Sequence, residues 1–135
     1  MSYDKTRLNL MNSIYQLDLN KYSSVNDLDG FFETIEISDE NKIKLAKRVE
    51  SFIDNKEKID TELKSVLKDA KLERLSYIDR SLLRLAIFEI IIEQDIAYQI
   101  IINDIVEIAK NFSDDNSYKF INAILGDYVR NYYNE

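Results

Sequence analysis

Cysteine, histidine and proline are absent from this sequence, and glycine occurs only as Gly30 and Gly126. Without cysteine there is no disulfide framework, no thiolate metal site and no thiol nucleophile. Without histidine the commonest general base is missing, and so are the commonest nitrogen ligand for zinc and iron and the histidine-containing di-iron bundle motif. An enzyme built from this chain would have to work with carboxylates, Lys or Tyr alone. Glu89 and Glu93 share a helical face at i, i+4, as do Asn103 and Glu107, but such pairs on a helix ordinarily serve solvation. The expectation is a binding protein, with no catalytic residues, metal or cofactor. A signal peptide is also missing, because MSYDKTRLNL has no apolar centre, and no apolar run reaches the length of a membrane span. A cytoplasmic protein with no membrane contact is expected. The net charge of −7 argues against gripping nucleic acid by bulk electrostatics, while leaving a small local site open.

What is present is helix-forming sequence. The scarcity of proline and glycine permits helix nearly everywhere, and apolar residues recur at helical spacing in segment after segment. Leu10, Ile14 and Leu17 line one side of residues 3–19, with Leu8, Met11 and Tyr15 beside them. Ser24 is placed to cap a short second helix carrying Leu28, Phe31, Phe32 and Ile35. Ser38, followed by Asp39 and Glu40, suits the start of a third, which buries Ile43, Ala46, Val49 and Ile53. Ile59, Leu63, Val66, Leu67 and Ala70 fall on one face of a fourth. A sixth, at about 99–111, buries Ile101, Ile105, Ile108, Ala109 and Phe112. After the polar break SDDNS, a seventh carries Phe120, Ile121, Ile124, Leu125, Tyr128 and Tyr132. The reading is an all-α bundle of about seven helices in one domain over 1–135, with N-terminal helices to about residue 70 and C-terminal helices from about 72. A chain of 135 residues should bury roughly two-thirds of its unfolded surface, so it needs no staples.

The fifth helix, 76–93, is apolar on nearly every side between Leu82 and Ile92, so several neighbours must surround it. Arg80 and Arg84 project from one side and Glu89 from near the opposite one. Their stems pack while their heads reach water or a carboxylate.

From Leu72 onward the chain resembles the NusB family of bacterial transcription antitermination factors. LERLSYIDRSLLRLAIFE at 72–89 is similar to the family's stretch ending in I-D-x-x-L-L-R-L-A-x-Y-E. IINDIVEIAKNF at 101–112 is similar to I-N-E-A-V-E-L-A-K-x-F, and SYKFINAIL at 117–125 to x-x-K-F-V-N-G-V-L. Each motif alone is a generic helix face; their shared order and spacing over about 55 residues make the set specific. KTRLNLMNSIYQLDL at 5–19 looks like the family's opening helix, with its arginine run reduced to Lys5 and Arg7. Ala97 stands where an I-P or V-P turn is usual, Asp104 replaces a Glu, and Ala123 replaces a Gly. The length resembles a free-standing member of the family, since after Glu135 no sequence remains for the methyltransferase to which similar domains are fused.

The resemblance implies two bundles of three helices sharing a core, and a function in binding rather than catalysis. Family members bind the boxA segment of nascent RNA together with the ribosomal protein NusE, within the RNA polymerase antitermination complex. Carried over by position, Lys5, Arg7, Tyr15, Asn116, Lys119 and Phe120 are the RNA candidates. Stacking rings and a few cations suit single-stranded RNA, and a helix N-terminus near Asn116 offers N–H groups to a phosphate. Glu73, Asp79 and Arg84 are the candidates for meeting NusE, with carboxylates facing a basic protein. Tyr15 and Phe120 equally fit core packing, Lys5 and Arg7 ordinary solvated charge, and Arg84 a structural ion pair. Two other readings stay open. One is an interaction bundle that keeps the NusE surface without RNA recognition. The other is a homodimer through the aromatics of YVRNYY at 128–133.

Overall fold

The computed structural model describes residues 3–68 and 70–133. Their regular structure is all helical. The α-helices are α1 Lys5–Asn20, α2 Asp29–Glu33, α3 Asp39–Lys64, α4 Tyr77–Ile87, α5 Tyr98–Phe112 and α6 Ser117–Tyr133. Single 3₁₀ turns at Val25–Leu28 and Leu72–Arg74 precede α2 and α4, and a π-helical segment, Phe88–Glu93, prolongs α4. No helix among the described residues is long and apolar enough to cross a membrane.

Local chemistry sets most of the boundaries. The Asp4 carboxylate accepts the Thr6 N–H at 2.8 Å and starts α1, which ends where Lys21 enters the left-handed region at φ 56°. Ser24 and Asp27 form a capping box ahead of α2. Ser38 caps α3 through the Asn41 N–H, and Ser76 caps α4 through the Asp79 N–H, both at 3.1 Å.

The helices expected at 39–53 and 59–70 are one continuous helix, α3. The intervening DNKEK contains no residue that stops a helix, so the chain carries on to Lys64. Its buried stripe is Leu45, Val49, Phe52, Ile59 and Leu63. Ile43 is exposed instead (59%), while Val66 and Leu67 are buried just past the helix end. Phe112, expected in the core, is 43% exposed and caps the Tyr3 ring edge-on at 5.9 Å.

α4 is the central helix. Every residue from Arg80 to Ile87 is buried, and α1, α3, α5 and α6 pack around it. At its end Phe88 meets Phe52 edge-to-face, with centroids 5.8 Å apart. Aromatic pairs in this geometry contribute about 0.5–1.5 kcal/mol beyond their burial. α5 and α6 pair with each other against α4, and this pairing positions the first turn of α6 beside the start of α4.

Candidate nucleic-acid and partner interface

The charges set into the apolar α4 are internal ties. Arg80 Nε donates to Asp18 at 2.7 Å, and its Nη1 donates to the Leu72 and Leu75 carbonyls, fixing the 3₁₀ turn that carries Glu73. Arg84 is bidentate to Asp60, at 2.9 and 3.0 Å. It is 6% exposed, and this internal pairing fits the structural ion pair weighed for it.

Arg7 is also drawn inside. It is 4% exposed, binds both oxygens of Glu89 at 2.6 and 2.7 Å, and pairs with Asp104 through Nη1. Those two carboxylates hold its guanidinium in the charged form against the cost of burial, raising its pKa above the ordinary arginine value. Asp104 also accepts the Asp4 N–H on both oxygens, tying the start of α1 to α5. Glu93 pairs with Arg48 at 2.8 Å, so the two carboxylates read as solvation are engaged internally. Three of the five Arg7 N–H groups are engaged by Glu89 and Asp104, so most of its charge is spent inside the protein. Helical phase sets Arg7, unlike Lys5, on the buried face of Leu10, Met11 and Ile14, but the carboxylates that meet it lie 82 and 97 residues away.

Around the first turn of α6 the structure brings several of the remaining candidates together. Asp79 accepts hydroxyl hydrogen bonds from Ser113 at 2.6 Å and Ser117 at 3.0 Å, clamping both ends of the α5–α6 loop to α4. A carboxylate has about four acceptor positions, so two remain beyond these serines. Asp79, Asn116 and Phe120 line one open cleft of 860 Å³, together with Arg74, Leu75, Asp114 and Asp115. Three carboxylates against one guanidinium make this cleft acidic. The N-terminus of α6 is accordingly less suited to a phosphate than its position in sequence implies, because the Ser117 N–H already donates to Asp114 O and the two aspartates lie beside it.

Lys119 points to the other flank. There a shallow groove of 970 Å³ runs between α5 and α6 past Asp4. Lys110 and Lys119 both lie over the Tyr118 ring, 5.1 and 5.9 Å from its centroid. Lys5 is exposed one residue beyond Asp4. Tyr15 is half-buried and meets Tyr77 edge-on at 6.2 Å, next to Ser76 in the cleft wall. Glu73 is exposed in the turn before α4. Tyr77, Tyr118, Lys110 and Arg74 were not legible as site residues, because their roles arise from α4, α5 and α6 meeting. Elsewhere, the aromatics of 128–133 stack among themselves and on Tyr98: Tyr98 on Tyr133 at 5.0 Å and Tyr128 on Tyr132 at 5.6 Å.

Residues 4–130 match the NusB family. The chain is 39% identical over 122 residues to the transcription antitermination protein NusB of Bacillus mycoides (strain KBAB4), covering 87% of this chain and 88% of that one. It is 38% identical, with the same coverage, to the NusB of Bacillus cereus (strain B4264). Its structure is similar to that of T. maritima NusB, with a TM-score of 0.82, 28% identity, and coverage of 93% and 89% of the two chains. A chain in the crystal structure of a plectonemic RNA supercoil superposes with a TM-score of 0.84 at 27% identity, covering 98% of this chain and 97% of that one.

Proposed function

The chain belongs to the NusB family of transcription antitermination proteins, which are not enzymes, and from that premise we propose that it binds boxA RNA jointly with NusE in the cytoplasm, as part of the RNA polymerase antitermination complex. The observation that carries this reading is the Asp79 clamp. An acidic cleft, suited to a basic ribosomal protein, lies against the first turn of α6, with the half-buried Phe120 in its wall as a ring for RNA and Lys119 on the opposite flank as a cation. In this reading Lys5 and Lys119 meet phosphates, Phe120 and Tyr15 meet bases, and Glu73 and the free side of Asp79 meet NusE. The structural neighbour from an RNA supercoil structure supports an RNA ligand.

The acidic balance of the cleft favours one competing reading, a bundle that binds NusE and has no RNA recognition of its own. Fluorescence anisotropy of labelled boxA RNA, with NusE present, separates the two. Phe120→Ala is expected to weaken boxA binding about tenfold, in line with roughly 1–3 kcal/mol per stacked base, and Lys119→Ala, on the other flank, to weaken it and flatten its salt dependence with NusE binding unchanged. Equal affinity for boxA and a scrambled RNA would leave only the interaction bundle.

A further inference from the structure

A second concave feature lies between the C-terminal end of α1, the middle of α3, and α4. It is a pocket of 400 Å³, within the roughly 300–1,000 Å³ typical of small-molecule sites. Its walls are apolar, formed by Ile14, Leu17, Phe52 and Ile53. Its charge runs against that of the protein. Lys21, Lys56 and Arg84 line it, against the single carboxylate of Asp18.

The neighbouring groups do not cancel this surplus. Asp60 serves both Arg84, at 2.9 Å, and Lys56, at 3.6 Å, while Asp18 serves Arg80 at 2.7 Å and lies 3.4 Å from Arg84 Nη1. Three cations, Lys56, Arg80 and Arg84, thus share two carboxylates, and Lys21 adds a fourth positive charge to the lining, in a chain of net charge −7. The α1 C-terminus, whose Leu17 and Asp18 carbonyls receive the Lys21 N–H, accounts for part of the Lys21 charge through the helix dipole. Lys56 has only the 3.6 Å contact to an Asp60 already bidentate to Arg84, and Arg84 Nη1 has only a 3.4 Å contact to an Asp18 already bonded to Arg80, so both keep positive charge facing the pocket. An apolar wall with a cationic edge fits a molecule with an apolar body and one anionic end.

We propose that this pocket binds a small apolar acid, an aromatic or acyl carboxylate whose body lies against Leu17, Phe52 and Ile53 and whose carboxylate meets Lys21, Lys56 and Arg84. Apart from Arg84, which the sequence offered as a NusE candidate, neither the RNA nor the NusE reading uses these residues, and the site does not depend on either.

The test is a ¹H–¹⁵N NMR titration of the full chain with 2-naphthoate, octanoate and, as a neutral control, 2-naphthalenemethanol. At least one acid is expected to give saturable shifts centred on residues 17–23 and 52–56, and the tighter of the two identifies an aromatic or an acyl ligand. The alcohol is expected to bind at least tenfold more weakly than naphthoate. Replacing both exposed lysines (Lys21→Gln with Lys56→Gln) is expected to weaken acid binding at least tenfold while leaving the alcohol unaffected. The proposal is overturned if neither acid gives saturable shifts there, if the shifts centre elsewhere, or if the alcohol binds as well as the acids.

Discussion

Lys5 and Arg7 show what a residue's type leaves unsaid. Both are cations on the first turn of α1, two positions apart and so about 200° apart around the helix. One remains in water, and the other enters the core to meet Glu89 and Asp104. Removing one member of a buried ion pair strands the other charges, at a typical cost of about 3–5 kcal/mol. Arg7→Ala is therefore expected to lose stability of that order in urea unfolding, whereas Lys5→Ala should stay within about 0.5 kcal/mol. Equal, small losses for both would contradict the internal role of Arg7. Tyr128 supplies a pH signature. Its hydroxyl is buried and donates to Glu62 at 2.7 Å, so burial first, and then the adjacent carboxylate, raise its pKa above the ordinary 10.0. The folded state holds this proton where the unfolded chain gives it up. The associated stability is complete below pH 10 and falls as pH rises beyond it. Urea midpoints measured from pH 8 to 11 should decline at the alkaline end, and the decline should be shallower in Tyr128→Phe.

At the scale of elements, most of the fold was legible because the signals are local. Ser24 and Ser38 each cap a helical segment as their positions suggest, and the apolar spacing placed α1 and α5 within a residue or two. What could not be read was set by tertiary packing. The sequence suggests one helix burying Ile43, Ala46, Val49 and Ile53 and another from Ile59, whereas packing joins them in α3 along a stripe through Leu45 and Phe52. The π-helical end of α4 has no residue signature. The clamp on the α5–α6 loop was equally hidden, since Ser113 and Ser117 lie 34 and 38 residues from Asp79. Asp79→Ala removes two hydrogen bonds to a carboxylate, a class worth about 1.5–3 kcal/mol each. We expect faster amide hydrogen exchange across residues 113–118 and weaker boxA binding from a site that is no longer held. Glu73→Ala, at an exposed residue, should leave that exchange unchanged and weaken only NusE binding. Unchanged exchange in Asp79→Ala would mean that the loop holds itself.

For the molecule as a whole, the account describes two weak surfaces joined by one clamp. With Arg7 inside, Lys5 and Lys119 are the cations assigned to phosphates. The slope of log affinity against log salt should then be only about −1.4 for single-stranded RNA. A slope steeper than about −4 would reveal a basic surface outside this description. Binding this weak needs a partner, and coupling between the two ligands must be reciprocal. The most direct measurement is the affinity of this protein for boxA RNA by fluorescence anisotropy, with and without saturating NusE and against a scrambled sequence. The account predicts selective boxA binding that NusE tightens at least tenfold, and NusE binding that boxA tightens by the same factor. NusE binding that is indifferent to boxA would contradict it.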